Sequence, residues 1–327
     1  MRVKRIVLTC MVAALYLLCL FDPSLALENV RIAYPSMSSS VLYFLIANKQ
    51  GYYKEEGLNV EILSIRGEIA IRTALAGEVD FFTNAGSALA AAVRGVPVKI
   101  IAVTQDTPSW DLIATPQIKS IAQLHGAIIG IMSPEGSLAV VTKEILRKNG
   151  IDPVKDAKLI VMGGDDVRYP ALKGNAIQAT LMNPTTSIRA QREGLTKLAS
   201  AGDYVKFIQG GLVTTQEKIS KEPAKVSKFV RASLKGLRYF LSKREPSIQY
   251  MMEVLRSKDR EMVADIYDYE SKLMVREGWS DDKILQEFID DMKKTTKVNR
   301  EIKVSDVFDF SFIRKANDEF KASGWKP

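Results

Sequence analysis

Four short polar loops contain the residues best suited to binding a small molecule. Each loop follows a predicted β-strand and opens a predicted helix, so it offers unpaired backbone N–H groups beside hydroxyl or amide side chains. In open parallel sheets, ligands bind beyond the carboxyl ends of the strands, where these helix starts lie. The candidate ligand-binding residues of the four loops are Ser38, Ser39, Ser40, Asn84, Ala85, Gly86, Ser133, Gly136, Ser137, Asn183 and Thr185.

Loops of this composition favour an anion. The positive end of a helix dipole stabilises a nearby negative charge by about 0.3–1 kcal/mol, and each hydrogen bond to a charged group adds roughly 1.5–3 kcal/mol. Three or four such loops together reach the ~8 kcal/mol of a micromolar site. The alternative is that these residues only cap their helices, although four loops, two from each half of the pattern, favour one shared cleft. Glu135 argues against an anion, because its carboxylate would repel one or recruit an amine.

Trp110 and Arg168 are two further candidates for ligand contact. Trp110 stands where the first half of the strand pattern ends, and its flat apolar ring could form a wall of the cleft. Arg168 could pair with an acid group of a ligand through its planar guanidinium. The alternatives are a Trp that packs in a hinge and an Arg that forms a surface ion pair with Asp165 or Asp166.

The first 26 residues have the pattern of a secretory signal peptide. Basic residues precede an apolar run over 6–21, and small residues occupy the positions that signal peptidase reads before a cleavage site after Ala26. We therefore predict a periplasmic protein. The apolar run is shorter than the ~20 residues that a membrane-spanning helix needs. Lipid attachment at Cys19 is disfavoured, because Leu18 stands before it where a small residue is expected.

The rest of the 327-residue chain has few residues suited to catalysis or metal binding. Cys10 and Cys19 are its two cysteines, both within the predicted signal peptide, and His125 is its single histidine. An exported chain without thiols lacks disulfides, cysteine nucleophiles and cysteine-ligated metals. One imidazole also disfavours transition-metal sites, and it allows a Ser-His-Asp triad only if His125 is the base. We predict no catalytic residue, metal or cofactor, and we place His125 in a structural turn.

The charge of the chain indicates no nucleic-acid partner. The sequence contains 46 Lys and Arg residues against 38 Asp and Glu residues, for a formal net charge of +8. The excess is modest, and the small basic groups are mixed with acidic residues in helical sequence, as on a solvated surface.

The order of predicted elements indicates an α/β fold. From about residue 30 to 213, short apolar strands alternate with single helices, which is the pattern of βαβ units in a mostly parallel sheet. The pattern restarts near residue 120. Turns at Gly77 and Asn175 each lead into a strand, and because Asn tolerates positive φ, Asn175 is expected to serve where Gly77 does. After about residue 216, amphipathic helices replace the strands, and their aromatic residues are expected in the core.

Several stretches resemble the substrate-binding proteins of ABC importers in the nitrate, sulfonate, taurine and thiamine-pyrimidine-precursor group, which are SsuA-like and NMT1-like. The most specific stretch is 44–57, which ends in Gly-Tyr-Tyr-Lys-Glu-Glu-Gly. Individually weaker stretches follow in the same order at 74–80, 95–101, 120–126 and 309–312, and the resemblance spans essentially residues 28–320. The chain departs from the group at His125, where Lys is common, and at Asn175 and Gln178, where Gly and Asp are more usual.

The resemblance implies a type II periplasmic-binding-protein fold. Two Rossmann-like lobes would be joined by a two-strand hinge, with the helical C-terminal tail packed on lobe one. Lobe one would comprise residues 27–112 and 212–327, and lobe two residues 113–211 would be inserted between them. Members of the group bind one small solute between the lobes and close about the hinge. The closed form then docks on a membrane permease, and we expect a monomer.

The leading hypothesis is an exported solute-binding protein of an ABC importer, not an enzyme. Its expected ligand is a small anionic organic solute of the sulfonate, carboxylate or pyrimidine-like classes. Two alternatives remain open. A periplasmic sensory protein would dock a receptor instead of a permease, and the sequence does not separate the two. A pyrimidine-precursor-type enzyme on this fold would need His and Cys residues that the mature chain lacks.

Overall fold

The computed structural model describes residues 27–35, 39–65, 67–134, 136–206 and 208–327. The predicted signal peptide, residues 1–26, lies outside the described residues, as do Ser38 and Glu135. The side chains of Ser39 and Ser40 lie outside them as well, so the predictions for these residues stay predictions.

The strands follow the short apolar runs of the sequence. They are β1 (Glu28–Tyr34), β2 (Leu58–Ser64), β3 (Phe81–Phe82), β4 (Val98–Gln105), β5 (Asp111–Ala114), β6 (Ile128–Ile131), β7 (Lys158–Val161), β8 (Ala179–Met182), β9 (Thr196–Ser200) and β10 (Gly210–Thr215). The sequence analysis did not predict β9. Its residues Thr-Lys-Leu-Ala-Ser are short and half-exposed at the edge of a sheet, so they lack the continuous apolar run of a buried strand.

Helices fill the segments between the strands and form the C-terminal part. They are α1 (Ser39–Lys49), α2 (Tyr52–Glu55), α3 (Gly67–Leu75), α4 (Ala85–Val93), α5 (Ser137–Lys148), α6 (Asp165–Lys173), α7 (Pro184–Arg192), α8 (Gln216–Lys221), α9 (Pro223–Ser242), α10 (Arg244–Leu255), α11 (Arg260–Leu273), α12 (Asp282–Thr296), α13 (Val304–Val307) and α14 (Ser311–Ser323). Within the described ranges, no helix has the length and apolar character that crossing a membrane requires.

Two five-stranded sheets form the framework, and the predicted α/β class is confirmed. The first has the order β2-β1-β3-β10-β4 and the second the order β7-β6-β8-β5-β9. In each sheet three parallel strands neighbour one antiparallel strand, which is β10 in the first and β5 in the second. Gly77 and Asn175, with φ values of 75° and 58°, occupy matching turns before β3 and β8. The equivalence predicted for these two residues is therefore confirmed.

The chain passes between the sheets twice, after β4 and after β9. The predicted changes of lobe, after residues 112 and 211, lie within two residues of these passages. Asp111 and Leu112 pair in the second sheet, and Gly211 pairs in the first. The lobe limits themselves remain a proposal.

A pair of hydrogen bonds joins the two passages. The Ser109 N–H donates to Gln209 Oε1 at 2.6 Å, and Gln209 Nε2 donates to Ser109 Oγ at 2.9 Å. Because each passage holds the other at both main-chain and side-chain atoms, the two segments form one structural unit between the sheets.

The C-terminal helices pack on the first sheet through aromatic side chains. Phe229 of α9 stacks on Phe81 of β3, with ring centroids 4.1 Å apart, and on Tyr53, at 5.1 Å. Gly236 lets α9 approach α1, since a Cβ at Gly236 would lie 2.2 Å from the carbonyl oxygen of Tyr43. The expected burial of the aromatic residues of α9 is thus confirmed at Phe229 and Phe240.

Candidate ligand-binding site

Helices α4, α5 and α7 begin at the carboxyl ends of β3, β6 and β8 without a side-chain cap. Asn84, Gly136 and Asn183 precede them, and in the described structure none of the three accepts a capping hydrogen bond through its side chain. The first turns of these helices also contain no acidic residue. By contrast, the side chains of Thr215 and Asp259 do cap α8 and α11. The three open starts therefore retain N–H donors and the positive ends of their dipoles.

The loop of the first sheet presents mainly Asn84 and backbone groups. Asn84 is half-buried, whereas Ala85 and Gly86 are buried. The Ala85 N–H donates to the Thr83 carbonyl oxygen at 2.9 Å, so of these two residues only Gly86 can offer its main-chain N–H group. Gly211 of β10 permits this packing, because a Cβ there would lie 3.1 Å from the Ala85 Cβ and 2.4 Å from the Ala102 carbonyl oxygen. A glycine in β10 thus sets where α4 begins.

Thr83 is a candidate that the sequence analysis did not single out. It follows β3 directly and precedes Asn84, is 3% exposed, and its hydroxyl has no hydrogen-bond partner among the described residues. Buried hydroxyls are usually hydrogen-bonded, to protein or to water. A Thr directly after a buried strand, inside a loop already identified, is the sequence signal that could have indicated it.

The loop after β6 places Ser133 over the start of α5. A Cβ at Gly136 would lie only 2.3 Å from Ser133 Oγ, so the Ser133 side chain would have to rotate away if residue 136 were larger than glycine. Ser133 and Ser137 are both half-buried, which leaves part of each side chain accessible. The structure therefore places Ser133, Gly136 and Ser137 at the start of α5, and their contact with a ligand stays a prediction.

Trp110 and Asn183 meet beside the start of α7. The Trp110 Nε1–H donates to Asn183 Oδ1 at 3.1 Å, and the backbone N–H of Asn183 donates to Asp165 Oδ2 at 3.0 Å. Trp110 is 8% exposed and belongs to a core cluster of the second sheet. Its packing role is therefore established, and its indole also orients a loop residue, with Thr185 half-buried in the next turn.

Arg168 lies where ligand cannot reach it, contrary to the sequence-based expectation. Its side chain is 0% exposed, and it forms an ion pair with Asp165. It also donates from Nη1 to Thr180 Oγ1 at 2.8 Å and to the Leu181 carbonyl at 2.5 Å. Burial lowers the pKa of this guanidinium, and Asp165 and Asp166 oppose that effect. Arg168 therefore joins α6 to β8 from inside the second lobe.

A buried carboxylate beneath α7 was also missed. Asp111 Oδ2 accepts from Ser187 Oγ at 2.6 Å, and Asp111 Oδ1 lies 2.7 Å from Lys197 Nζ and 3.1 Å from Ser200 Oγ. Burial, together with the charge of Asp111, raises the pKa of Tyr269 to about 12, so this phenol stays neutral. The consecutive residues Trp110 and Asp111 thus hold α7 at Asn183, the residue before its first turn, and again at Ser187, one turn later.

A family of known proteins matches a large part of this chain. The family model described as NMT1/THI5 like matches residues 38–246, which is more than half of the chain. This chain belongs to the NMT1/THI5-like family. The match includes every described loop residue of the candidate site.

Relatives of this NMT1/THI5-like chain include two binding proteins. A candidate aliphatic sulfonates-binding protein of Bacillus subtilis is 23% identical over 310 residues, which cover 91% of each chain. The riboflavin-binding protein RibY of Chloroflexus aurantiacus is 26% identical over 225 residues, which cover 66% of this chain and 63% of RibY.

A solved structure confirms the predicted periplasmic-binding-protein fold. The alkanesulfonate-binding protein SsuA of Xanthomonas axonopodis pv. citri, determined bound to MOPS, superposes with a TM-score of 0.70 at 13% identity. The superposition covers 86% of this chain and 98% of SsuA. The recognition of the family from short ordered stretches is confirmed as well.

Proposed function

We propose that this protein captures one small anionic organic solute between its two lobes and delivers it to the membrane permease of an ABC importer. The observation that carries the proposal is the set of three open helix starts, one from the first sheet and two from the second, with no acidic side chain in any first turn. Such starts stabilise negative charge through backbone donors and dipoles.

The chemistry of the loops favours a sulfonate or carboxylate. Asn84, Ser133, Ser137 and Asn183 supply uncharged donors to an anion, and Arg168 is removed from the set because it is buried. The sulfonate-binding relatives support the same class. The proposal retains a secreted, periplasmic monomer with lobe one at 27–112 and 212–327 and lobe two at 113–211. It assigns no catalytic residue.

Binding should depend strongly on Asn84. In Asn84→Leu we expect the affinity for the solute to fall at least about tenfold, because one hydrogen bond to a charged group is worth roughly 1.5–3 kcal/mol. Isothermal titration calorimetry with the solute selected below measures the loss. Asn59→Leu is the matched control, since Asn59 is an exposed β2 residue whose side chain donates to Asn29 Oδ1 at 2.8 Å. Equal affinity in Asn84→Leu and the control would remove the loop after β3 from the site.

Mass spectrometry of solutes released from the purified protein would identify the ligand. A thermal-shift screen of sulfonates, dicarboxylates and pyrimidines follows, because a ligand that binds the folded state raises the unfolding temperature by mass action. Trp110 contacts Asn183, so its fluorescence should report binding, and Trp110→Phe should abolish that signal. Retention of an uncharged solute alone would contradict the anion assignment. A chemically altered solute after incubation would favour an enzyme.

The importer and the sensor differ in the membrane partner. Pull-down of the closed, solute-loaded protein with membrane fractions, followed by identification of the bound membrane protein, separates a permease from a receptor. Recovery of a receptor histidine kinase or chemoreceptor would overturn the importer proposal while leaving the solute-binding role intact.

A further inference from the structure

Helix α7 of the second sheet and helix α11 of the first lie against each other between the lobes. The α7 helix packs on β5 and β9, whereas Val263, Ile266 and Tyr267 of α11 are buried in the core of the first sheet. Ile188 of α7 nevertheless packs on that same first-sheet core. The two helices thus form a contact between lobes that lies outside the polar loops.

One face of α7 connects the candidate ligand site to this contact. Thr185, Ile188 and Arg192 are spaced by three and four residues, so they lie on one face of the helix. Thr185 is in the first turn, beside the open helix start, and Arg192 is the last residue of the helix. A shift of the helix start on binding would therefore move Arg192 as well.

Arg192 makes two ion pairs across the lobes. Its Nη1 lies 2.9 Å from Asp259 Oδ2, and its Nη2 lies 2.7 Å from Asp265 Oδ2. Asp259 is held in place because its other carboxylate oxygen caps α11 by accepting from the Met262 N–H at 2.8 Å. A second contact between the lobes lies farther along α11, at Tyr269. The Nζ of Lys197, from β9, lies 5.6 Å from the centroid of the Tyr269 ring. Both acceptors of Arg192 thus lie at α11 of the first lobe, and Asp259 is held there by its capping bond.

Water can reach the two ion pairs of Arg192, so the charged groups can separate. A groove of about 1070 Å³ runs beside it, lined from both lobes by Thr185, Arg189, Arg192, Arg256, Lys258 and Met262 among others. The Arg192 side chain is 35% exposed. Opening the lobes here would return Arg192, Asp259 and Asp265 to water and would expose Ile188.

We propose that Arg192 is a positioning residue that latches the closed lobes through Asp259 and Asp265. The proposal rests on the solute-binding function above. The latch contacts no solute; it raises affinity by increasing the fraction of molecules already closed, since the apparent dissociation constant scales inversely with the competent fraction. Two exposed ion pairs, each modest, imply a closed-to-open ratio about three- to tenfold higher with the latch than without it.

The test measures lobe separation without any solute. Spin labels on Glu68→Cys and Val140→Cys, both exposed, report the distance between the lobes in a Cys10→Ser, Cys19→Ser background. Arg192→Ala should lower the ratio of the closed to the open population about three- to tenfold, which appears as added weight at longer distances. Arg189→Ala is the matched control, because Arg189 lies on the same helix and pairs with Glu193 of its own lobe.

Salt, charge exchange and affinity complete the test. Molar NaCl should shift the original protein toward the open distance and leave Arg192→Ala unchanged, because salt screens exposed pairs. Arg192→Lys should recover part of the closed population, and Arg192→Asp with Asp265→Arg should recover more than Arg192→Asp alone. Affinity for the screened solute should fall by the same factor in Arg192→Ala, with the unfolding temperature unchanged. If Arg192→Ala and the original protein gave the same distribution of lobe distances, the latch proposal would be wrong, whether or not the protein binds the solute.

Discussion

Arg168→Ala should lower the free energy of unfolding by about 3–5 kcal/mol, because it leaves the Asp165 carboxylate without its buried cation. The same substitution removes the bonds from Arg168 to Thr180 and Leu181, which join α6 to β8. Urea unfolding followed by circular dichroism measures the change. Solute affinity should fall too, since Asp165 also accepts from the Asn183 N–H at the start of α7.

The control for this prediction is another arginine in an ion pair. Arg189 pairs with Glu193 at 2.9 Å but is 59% exposed, so Arg189→Ala should change the free energy of unfolding by less than about 1 kcal/mol. Replacing both partners, in Arg168→Met with Asp165→Asn, should recover much of the loss, because no isolated charge then remains buried. A loss of under 1 kcal/mol in Arg168→Ala would mean that water reaches Asp165.

Gly236→Ala should destabilise the first lobe by about 1–3 kcal/mol although alanine is the better helix former. Alanine in a helix gains about 1 kcal/mol over glycine. Here, however, the new Cβ would lie 2.2 Å from the Tyr43 carbonyl oxygen and 2.8 Å from the Ala47 Cβ. A backbone oxygen cannot move aside by changing rotamer, so α1 and α9 must separate. Urea unfolding measures the loss, and calorimetry measures the weaker binding expected because α1 begins at the first polar loop.

Gly174→Ala is the matched control for the packing effect. Gly174 has negative φ, and a Cβ there would lie 3.4 Å from the nearest atom, the Pro170 carbonyl oxygen. This substitution should leave stability unchanged or raise it by a few tenths of a kcal/mol through the entropy of the unfolded chain. Equal stabilities of the two variants would show that α1 and α9 pack loosely at Gly236.

The sequence predicts the framework because the framework depends on local patterns. Alternating apolar runs and helix starts indicate βαβ units at any distance along the chain, and the tolerance of Asn for positive φ predicted Asn175 correctly. The edge strand β9 was missed because its residues are only half-buried, so its side chains show no continuous apolar run. Sheet order and the two passages depend on pairing between distant segments, which composition does not encode.

The candidate site is harder to predict, because the direction of a side chain depends on packing. Arg168 and Thr83 illustrate this, since the charged side chain of Arg168 in α6 turns inward, and Thr83, directly after β3, places a buried hydroxyl beside Asn84. Asp111 gave no signal either, because its partners Ser187 and Ser200 lie 76 and 89 residues away. The loops could thus be located from sequence, whereas the individual donors could not.

The hydrogen bonds between Ser109 and Gln209 limit the directions in which one lobe can move relative to the other. A single chain segment can rotate about its own axis, but two segments bonded side by side resist that rotation and yield mainly by bending. The lobes should therefore rotate about a single hinge axis that passes through these two segments. Every approach of α4 toward α7 would then repeat the same path, so a solute of the wrong length would stop the swing at a reproducible angle.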